Sequence, residues 1–126
     1  MFNLNKMKTD SIYKEEIMDI YSEKPNFGHL KEKTHEGKRT NPGCEDEFTI
    51  ELNIKNNKIV NAKFHGKGCV ISTVSTSVLL EKIKGKTLLE VQNLNKKDID
   101  EFLGIEIIPT RIKCELLPLE IIRRIK

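Results

Sequence analysis

Apolar and polar residues alternate in the middle of the chain. Apolar side chains occupy every second position over residues 48–54, and a second apolar-rich run covers residues 59–64. A period of two is typical of a strand with one buried face. The residues between the runs, 55–58, read Lys-Asn-Asn-Lys, and asparagine accepts the backbone of a tight turn. The pattern therefore predicts an antiparallel β-hairpin.

Elsewhere apolar residues recur every three to four positions, which predicts helices. The predicted helices run from Asp10 or Ser11 to Pro25, from a glycine turn at 66–68 to Gly85, and over 87–91, 96–103 and about 111–126. Proline is accepted in the first turn of a helix and breaks an interior one. Pro118 therefore predicts that the last helix begins near Lys113 or Cys114.

Residues 31–40 contain charges and a glycine but no apolar residue, so they are expected to form a mobile loop. A first strand between residues 28 and 40 is the alternative, although its pattern is weak. The order helix, hairpin, helices predicts an α+β fold, in which helices pack on one face of a small antiparallel sheet of about three strands. We expect one domain over residues 1–126, with residues 1–10 flexible.

Composition narrows the class of protein. The chain has 126 residues and a net charge of +3, from 22 basic and 19 acidic residues. This balance argues against nucleic acid as a partner, because a clustered basic face is expected there. No apolar run approaches the length of a membrane span, and the first residues lack the apolar core of a signal peptide. We therefore expect a cytoplasmic protein without a membrane partner.

The three cysteines are Cys44, Cys69 and Cys114, 25 and 45 residues apart. An odd number of thiols without a C-x-x-C pair, in a reducing compartment, favours a metal or reactive site over a disulfide framework. Each lies at the boundary of a predicted element, and Cys44 is expected together with Asp46 in a loop before the first clear strand. Cys69 follows two glycines at a helix start, where unpaired N–H groups stabilise negative charge on sulfur. A buried structural cysteine is the alternative for this position.

A hairpin brings Asp46 and Cys69 to the same end of the sheet, because the chain goes out and returns. Three thiolates and one carboxylate would make four ligands, which suits tetrahedral zinc and also an iron–sulfur cluster. Glu45 and Glu47 point to the other side of an extended segment, so Asp46 is the better oxygen ligand. A purely structural zinc site is the alternative, although such sites are often built from local ligand pairs.

Three motifs in this order resemble a known family. They are Asn-Pro-x-Cys-x-Asp at 41–46, Phe-x-Gly-x-Gly-Cys-x-Ile-Ser at 64–72 and Arg-x-Lys-Cys at 111–114. The chain is similar in these segments to the U-type scaffold proteins of iron–sulfur assembly, the NifU/IscU/SufU family. The early segments 17–21 and 25–28 are similar too, so the resemblance covers nearly the whole chain.

The resemblance implies that Cys44, Asp46, Cys69 and Cys114 are the ligands of zinc, iron or a transient [2Fe–2S] cluster. It implies a cysteine desulfurase as sulfur donor and apo-proteins as acceptors, so the chain is expected to be a carrier rather than an enzyme. Cys44 is the expected sulfur acceptor, with Cys114 as second choice. Asp46, a hard oxygen ligand beside soft thiolates, is expected to permit release of the cluster or sulfur.

Two departures from the family pattern leave the choice between an IscU-type and a SufU-type member open. Lys113 precedes the third cysteine, as in SufU-type members, where IscU-type members have histidine. The 45-residue spacing, however, matches IscU and leaves no room for the SufU insertion. The alternative function is thus a zinc-dependent SufU-type sulfurtransferase that stimulates the desulfurase and holds no cluster. Lys113 and Arg111 are candidate partners of Asp46 or of sulfur-borne negative charge.

The other candidate features point less clearly to a site than the thiols do. Residues 107–111 replace the Leu-Pro-Pro-Val-Lys segment that binds an Hsp70-type chaperone in the family, so chaperone docking is not expected. His29, His35 and His65 are expected to be surface or hydrogen-bonded histidines rather than ligands. The serine and threonine run at 72–77 has no base partner in the sequence, which argues against a serine nucleophile.

Overall fold

The computed structural model of the chain describes residues 10–41, 46–105, 107 and 109–126, with side chains described from residue 15 onward. The elements are α1 (Asp10–Glu23), β1 (His35–Asn41), β2 (Asp46–Lys55), β3 (Lys58–Lys67), α2 (Val70–Lys82), α3 (Leu88–Gln92), α4 (Lys96–Leu103), a 3-10 turn (Pro109–Arg111) and α5 (Ile112–Arg123). The predicted α+β class is confirmed. The flexible terminus predicted for 1–10 lies outside the described residues, apart from Asp10, which begins α1.

The hairpin of β2 and β3 forms as the alternation of apolar residues predicts. Asn56 and Asn57 form its turn with φ angles of 53° and 67°. Asparagine tolerates this left-handed backbone, which matches the twist of the flanking strands. β1 adds to the other side of β2, so the antiparallel sheet has the order β1-β2-β3.

β1 corrects the prediction of a mobile loop over residues 31–40. The strand pairs with β2 from His35, opposite Leu52, to Asn41, opposite Asp46. Its backbone supplies the hydrogen bonds, which an apolar pattern does not reveal. A Cβ atom on Gly37 would lie 2.8 Å from Cγ1 of Ile125 and 3.1 Å from the carbonyl oxygen of Ile121. Ile121 of α5 and Ile125 just after this helix pack against the backbone of β1, so no apolar side chain is needed there.

The core lies between the sheet and the helices. Alternation along β2 turns Phe48, Ile50 and Leu52 toward the helices, where each is at most 1% exposed. The partners from the other elements are Ile59, Ala62, Phe64, Leu79, Leu80, Ile83, Val91, Ile99, Leu117, Leu119, Ile121, Ile122 and Ile125. In the part of the chain that the structure describes, no helix combines the length and apolar character needed to cross a membrane.

The segment between α1 and β1 crosses to the opposite face of the sheet. The backbone N–H of Gly28 donates to the carbonyl of Phe64 at 2.7 Å, at the free edge of β3. Farther along, the N–H of Thr34 donates to the carbonyl of Leu52 in β2, at 2.8 Å. We call residues 26–34 the crossover segment. It covers Glu51, which is 2% exposed although its side chain points away from the helices.

The start of α5 corrects the prediction that the last helix begins near Lys113 or Cys114. The helix begins at Ile112, so Pro118 lies in its interior rather than in its first turn. Proline cannot donate a hydrogen bond to the preceding turn and its ring pushes the chain away from it. The hydroxyl of Ser75 in α2 donates to the carbonyl of Glu115 at 2.6 Å. This contact joins the two helices within the turn that precedes the proline.

Candidate metal centre

Three residues of the predicted ligand set come together at one end of the sheet. Asp46 begins β2, Cys69 is the N-cap of α2, and Cys114 lies in the first turn of α5. Their ligand atoms all lie within 4.8 Å of one another. Asp46 and Cys114 are 0% exposed, whereas Cys69 is partly exposed. The site is therefore open toward solvent on the Cys69 side.

Asp46 joins the sheet to the helix that Cys69 caps. The backbone N–H of Cys69 donates to Oδ1 of Asp46 at 2.8 Å. The second oxygen, Oδ2, lies 4.0 Å from Sγ of Cys69. Asp46 was expected in a loop before the strand, but it is the first residue of β2 and is fully buried. Its carboxylate thus holds the turn together while one oxygen faces the sulfur atoms.

Cys69 uses its sulfur as a helix cap. Sγ accepts a hydrogen bond from the backbone N–H of Ser72 at 3.4 Å, and the Ser72 hydroxyl lies 3.5 Å from the same atom. N-cap side chains commonly accept from this position of the first turn. The backbone N–H stabilises negative charge on the sulfur, whereas the Ser72 hydroxyl donates to the carbonyl oxygen of Cys69 at 3.1 Å. Ser72 is a site residue that the sequence reasoning missed, and its spacing of three residues from Cys69 was the available signal.

Two glycines where β3 leads into α2 are required by space: Gly66 near the end of β3 and Gly68 after it. Gly66 has a φ angle of +126°, and a Cβ atom there would lie 2.1 Å from the carbonyl oxygen of Glu47. A Cβ on Gly68 would lie 2.5 Å from the Ser72 hydroxyl and 2.8 Å from the ring of Phe48. Any larger residue would displace β2 or the first turn of α2. The glycines thereby bring Cys69 close to Asp46.

The remaining candidates of the predicted set are placed as follows. Cys44, two positions before Asp46 in the sequence, lies outside the described residues. Arg111 and Lys113 are both exposed and flank the buried Cys114 in the chain. The structure therefore brings together two of the three cysteines and the aspartate, with basic side chains at the surface nearby in sequence.

Glu115, directly after Cys114, is a buried acid that the sequence reasoning missed. It is 0% exposed, and its Oε1 lies 3.8 Å from Nζ of Lys96. Burial, together with the nearby carboxyl group of Asp100, raises the pKa of Glu115 to about 8. The carboxyl group is therefore largely protonated at neutral pH. An acid within an otherwise apolar helix face was the signal in the sequence.

The histidines lie apart from the thiols. His65 is on the face of the sheet opposite the helices, with Nε2 3.3 Å from Oε2 of Glu51. His29 contacts the same oxygen through Nδ1 at 3.2 Å. His35 lies at the start of β1, where its Nδ1 is 2.8 Å from the hydroxyl of Thr34. Each described histidine thus has a polar partner other than Cys69 or Cys114.

The donor set fits a thiophilic metal. Two sulfur atoms and a carboxylate oxygen are ligands of zinc and of iron in proteins, and one more ligand would complete a tetrahedron. The carboxylate is harder than the thiolates and so is the weaker partner for a soft ion. The described residues can therefore hold a metal with one position left for a further ligand or for sulfur.

Comparisons with known proteins agree with this geometry. The sequence model of the NifU-like N-terminal domain matches residues 12–124. The iron–sulfur cluster assembly scaffold protein IscU of Aquifex aeolicus is 36% identical over 110 residues, covering 86% of this chain and 69% of that protein. The zinc-dependent sulfurtransferase SufU of Bacillus subtilis is 30% identical over 133 aligned residues, covering 92% of this chain and 88% of that protein.

A solved structure shares the fold. It is an iron–sulfur cluster assembly scaffold protein for the SUF system from Fervidobacterium islandicum AW-1. The TM-score is 0.73 at 33% sequence identity, covering 88% of this chain and 93% of that one. The matches confirm the resemblance that the cysteine motifs indicated, and they include relatives of both the IscU and the SufU type.

Proposed function

This chain belongs to the NifU-like N-terminal domain family, and from that membership we propose that it acts in iron–sulfur cluster assembly as a scaffold. It would accept sulfur from a cysteine desulfurase and bind iron or a transient [2Fe–2S] cluster, which it passes to acceptor apo-proteins. The cluster is cargo, so the protein is a carrier rather than an enzyme. Its free thiols fit a reducing cytoplasm, where we expect it to work.

The observation that carries the proposal is the convergence of Asp46, Cys69 and Cys114 from three distant segments. A structural zinc site is often built from ligand pairs close together in sequence, whereas these three ligands come from distant segments. Here Cys69 is partly exposed and the described donors leave a position free. We assign that position to Cys44, which completes the set of three thiolates and one carboxylate.

Sulfur transfer follows ordinary thiol chemistry. The thiolate of Cys44 would attack the terminal sulfur of a persulfide on the desulfurase. The S–S bond of that persulfide breaks, and the desulfurase cysteine leaves as a thiolate. The product is a persulfide on Cys44, next in sequence to the Asp46 end of the sheet. Cys114 is the second choice as acceptor, but it is 0% exposed and would need the site to open. Lys113 and Arg111 would attract the negative charge of the incoming sulfur.

A zinc-dependent sulfur acceptor is the second candidate. Two observations favour it: the similarity to SufU of Bacillus subtilis over 92% of this chain, and Lys113 before the third cysteine. In this alternative the thiols would bind zinc, and one of them would leave the zinc to accept sulfur. No cluster would form, and the chain would stimulate the desulfurase.

The deciding experiment is anaerobic incubation of the protein with ferrous iron, cysteine and a cysteine desulfurase. A scaffold should develop the visible absorption of a [2Fe–2S] cluster, with iron and sulfide bound to the chain. Cys69→Ser and Cys114→Ser should each abolish it, whereas His35→Ala, outside the site, should not. Labelled cysteine would report persulfide on the chain independently of the colour.

The outcomes separate the candidates. Bound zinc and labelled persulfide without visible absorption would favour the sulfur acceptor. Neither label nor cluster on the wild-type chain would refute both candidates. A cluster that persists in Cys114→Ser would remove Cys114 from the ligand set.

A further inference from the structure

A second group of metal-binding side chains lies on the other face of the sheet. His29, Glu51 and His65 come from the crossover segment, β2 and β3, and their ligand atoms all lie within 4.8 Å of one another. Oε2 of Glu51 is 3.2 Å from Nδ1 of His29 and 3.3 Å from Nε2 of His65. None of the three is a candidate ligand of the thiol site.

The burial of Glu51 distinguishes this group from an ordinary surface cluster. Its side chain is 3% exposed on a face where polar residues are normally wet. The backbone N–H of Leu30 donates to Oε1 at 2.7 Å and fixes the carboxylate. Burial alone would raise the pKa of Glu51, but the hydrogen bonds from Leu30 and His29 and the charge of Lys33 outweigh it and lower the pKa. The carboxylate is therefore ionised, and Oε2 points to both imidazoles.

We propose that His29, Glu51 and His65 form a second metal site that binds zinc or a similar divalent ion through two imidazole nitrogens and Oε2. Two histidines and one carboxylate are a common zinc ligand set, with water in the fourth position. Ligand atoms bound to zinc at about 2.1 Å in a tetrahedron are about 3.4 Å apart. Both distances from Oε2 are close to that value, so the carboxylate needs no movement.

The histidine rings need a small movement. They are stacked, with centroids 4.1 Å apart and an angle of 29° between their planes. A shared ion requires one ring to turn so that both nitrogens face it. The side chain of His29 is 70% exposed and can turn, whereas His65 is held in β3 with 29% exposure. His29 is therefore the ligand that closes on the metal.

Lys33 competes for the same carboxylate. Its Nζ lies 3.7 Å from Oε2 of Glu51, and it also pairs with Glu36. A lysine side chain is flexible and its charge is strongly hydrated, so an ion held by three ligands can displace it. Competition also predicts that removing this charge strengthens metal binding, which a merely structural ion pair does not predict.

The bound ion would have a defined structural effect. It would join the crossover segment to both strands of the hairpin, β2 and β3, on the face that the helices do not cover. The thiol site lies at the end of the sheet on the helix side, so the two sites can be filled independently. The second site has no sulfur ligand, and that difference makes it distinguishable in solution.

The test is anaerobic titration of the reduced, metal-free full chain with cobalt(II) alone. Thiolate ligands give an intense near-ultraviolet charge-transfer band, whereas a nitrogen and oxygen site gives only weak visible bands. We expect a second binding event without the near-ultraviolet band. His29→Gln should weaken that event by at least about tenfold and leave the first unchanged, as expected for loss of a ligand. Lys33→Met should strengthen it.

His35→Gln is the matched control, because this histidine lies near the group but outside it, and its titration should equal that of the wild type. The exposure of His29 makes misfolding of His29→Gln improbable, and a thermal melt checks this. A Cys69→Ser, Cys114→Ser double variant should keep the second event. A wild-type chain with no second event, or a second event unchanged in His29→Gln, would overturn the proposal.

Discussion

At the scale of single residues, Asp46 has two roles that substitutions can separate. One oxygen accepts the N–H of Cys69 at 2.8 Å, and the other faces its sulfur. Asparagine can keep the hydrogen bond but lacks the charge, and alanine loses both. In the alanine variant the N–H of Cys69 would lose its acceptor, which the predicted placement of Asp46 in a loop did not anticipate.

We expect Asp46→Ala to lower the free energy of unfolding by about 1 to 3 kcal/mol. Asp46→Asn should cost less stability, while both variants weaken metal binding because a charged ligand is lost. Urea denaturation and zinc competition with a chelator measure the two effects. Glu47→Ala is the control, since Glu47 lies on the other face and pairs with Lys38 at 3.2 Å. Equal metal affinity of Asp46→Ala and wild type would exclude Asp46 as a ligand.

The raised pKa of Glu115 predicts that the stability of the folded chain depends on pH. Its pKa in the folded chain is raised from 4.5 to about 8. A group with a raised folded-state pKa contributes stability that is fully present below its unfolded pKa and is lost as pH rises through its folded pKa. For the metal-free protein, the free energy of unfolding should therefore fall between pH 4.5 and about 8, since each unit of pKa difference between the folded and unfolded chain corresponds to about 1.4 kcal/mol.

The measurement is urea denaturation at several pH values across that window. Glu115→Gln cannot lose a proton, so its stability should change less with pH. If the two proteins show the same slope, the pH dependence arises from other groups and the buried carboxyl group is not the cause.

At the scale of elements, the turn between β3 and α2 sets the position of Cys69. Gly66→Ala adds a Cβ atom 2.1 Å from the backbone of β2, at a φ angle of +126°. We expect a loss of about 2 kcal/mol or more in stability, with weaker metal binding because the turn must move. Thermal melts and zinc affinity measure both changes.

Gly85→Ala is the matched control for this prediction. Gly85 also has a positive φ angle, +92°, but no atom lies within 4 Å of an added Cβ. The control carries the backbone strain without the steric contact, and it is remote from the thiols. If Gly66→Ala is no more damaging than Gly85→Ala, the close approach of β2 is not important.

The sequence predicted those elements whose cause is local. The α4 helix was predicted at its observed bounds, because Asn95 and Asp98 form a capping box visible in the sequence. β1 was not clearly predicted, because residues 35–41 contain no apolar side chains and the helix packed on Gly37 is distant in sequence. The interior position of Pro118 was missed because the helix start was inferred from the proline alone, whereas the contact of Ser75 with this turn comes from another helix.

At the scale of the whole molecule, Asp46 and Cys69 could be grouped from the sequence because a hairpin returns the chain to its starting end, whereas Cys114 was added to the ligand set by the family resemblance. The group at Glu51 could not be foreseen. His29 reaches it only because the crossover segment pairs at both edges of the hairpin, a long-range arrangement without a local pattern. The structure therefore adds a second polar centre to the thiol site that the motifs indicated.

A bound metal should link these distant segments, so that its binding stabilises the folded chain against unfolding. An ion that binds only the folded state raises the free energy of unfolding, by about 2.7 kcal/mol at a free concentration one hundred times its Kd. We expect zinc to raise the melting temperature and a chelator to reverse this. Cys69→Ser with Cys114→Ser should lose most of the increase at low zinc, and an unchanged melting temperature in the wild type would contradict a site formed by folding.

The alternation of side chains along β2 constrains how the length of the chain can change. One residue inserted between Phe48 and Ile50 would turn one half of the strand over, so that either Asp46 or Glu51 would face the wrong layer. Near the turn, the pairing already shifts between Asn53 and Ile54. Insertions and deletions should therefore be tolerated beside the turn and rejected within the first half of the strand.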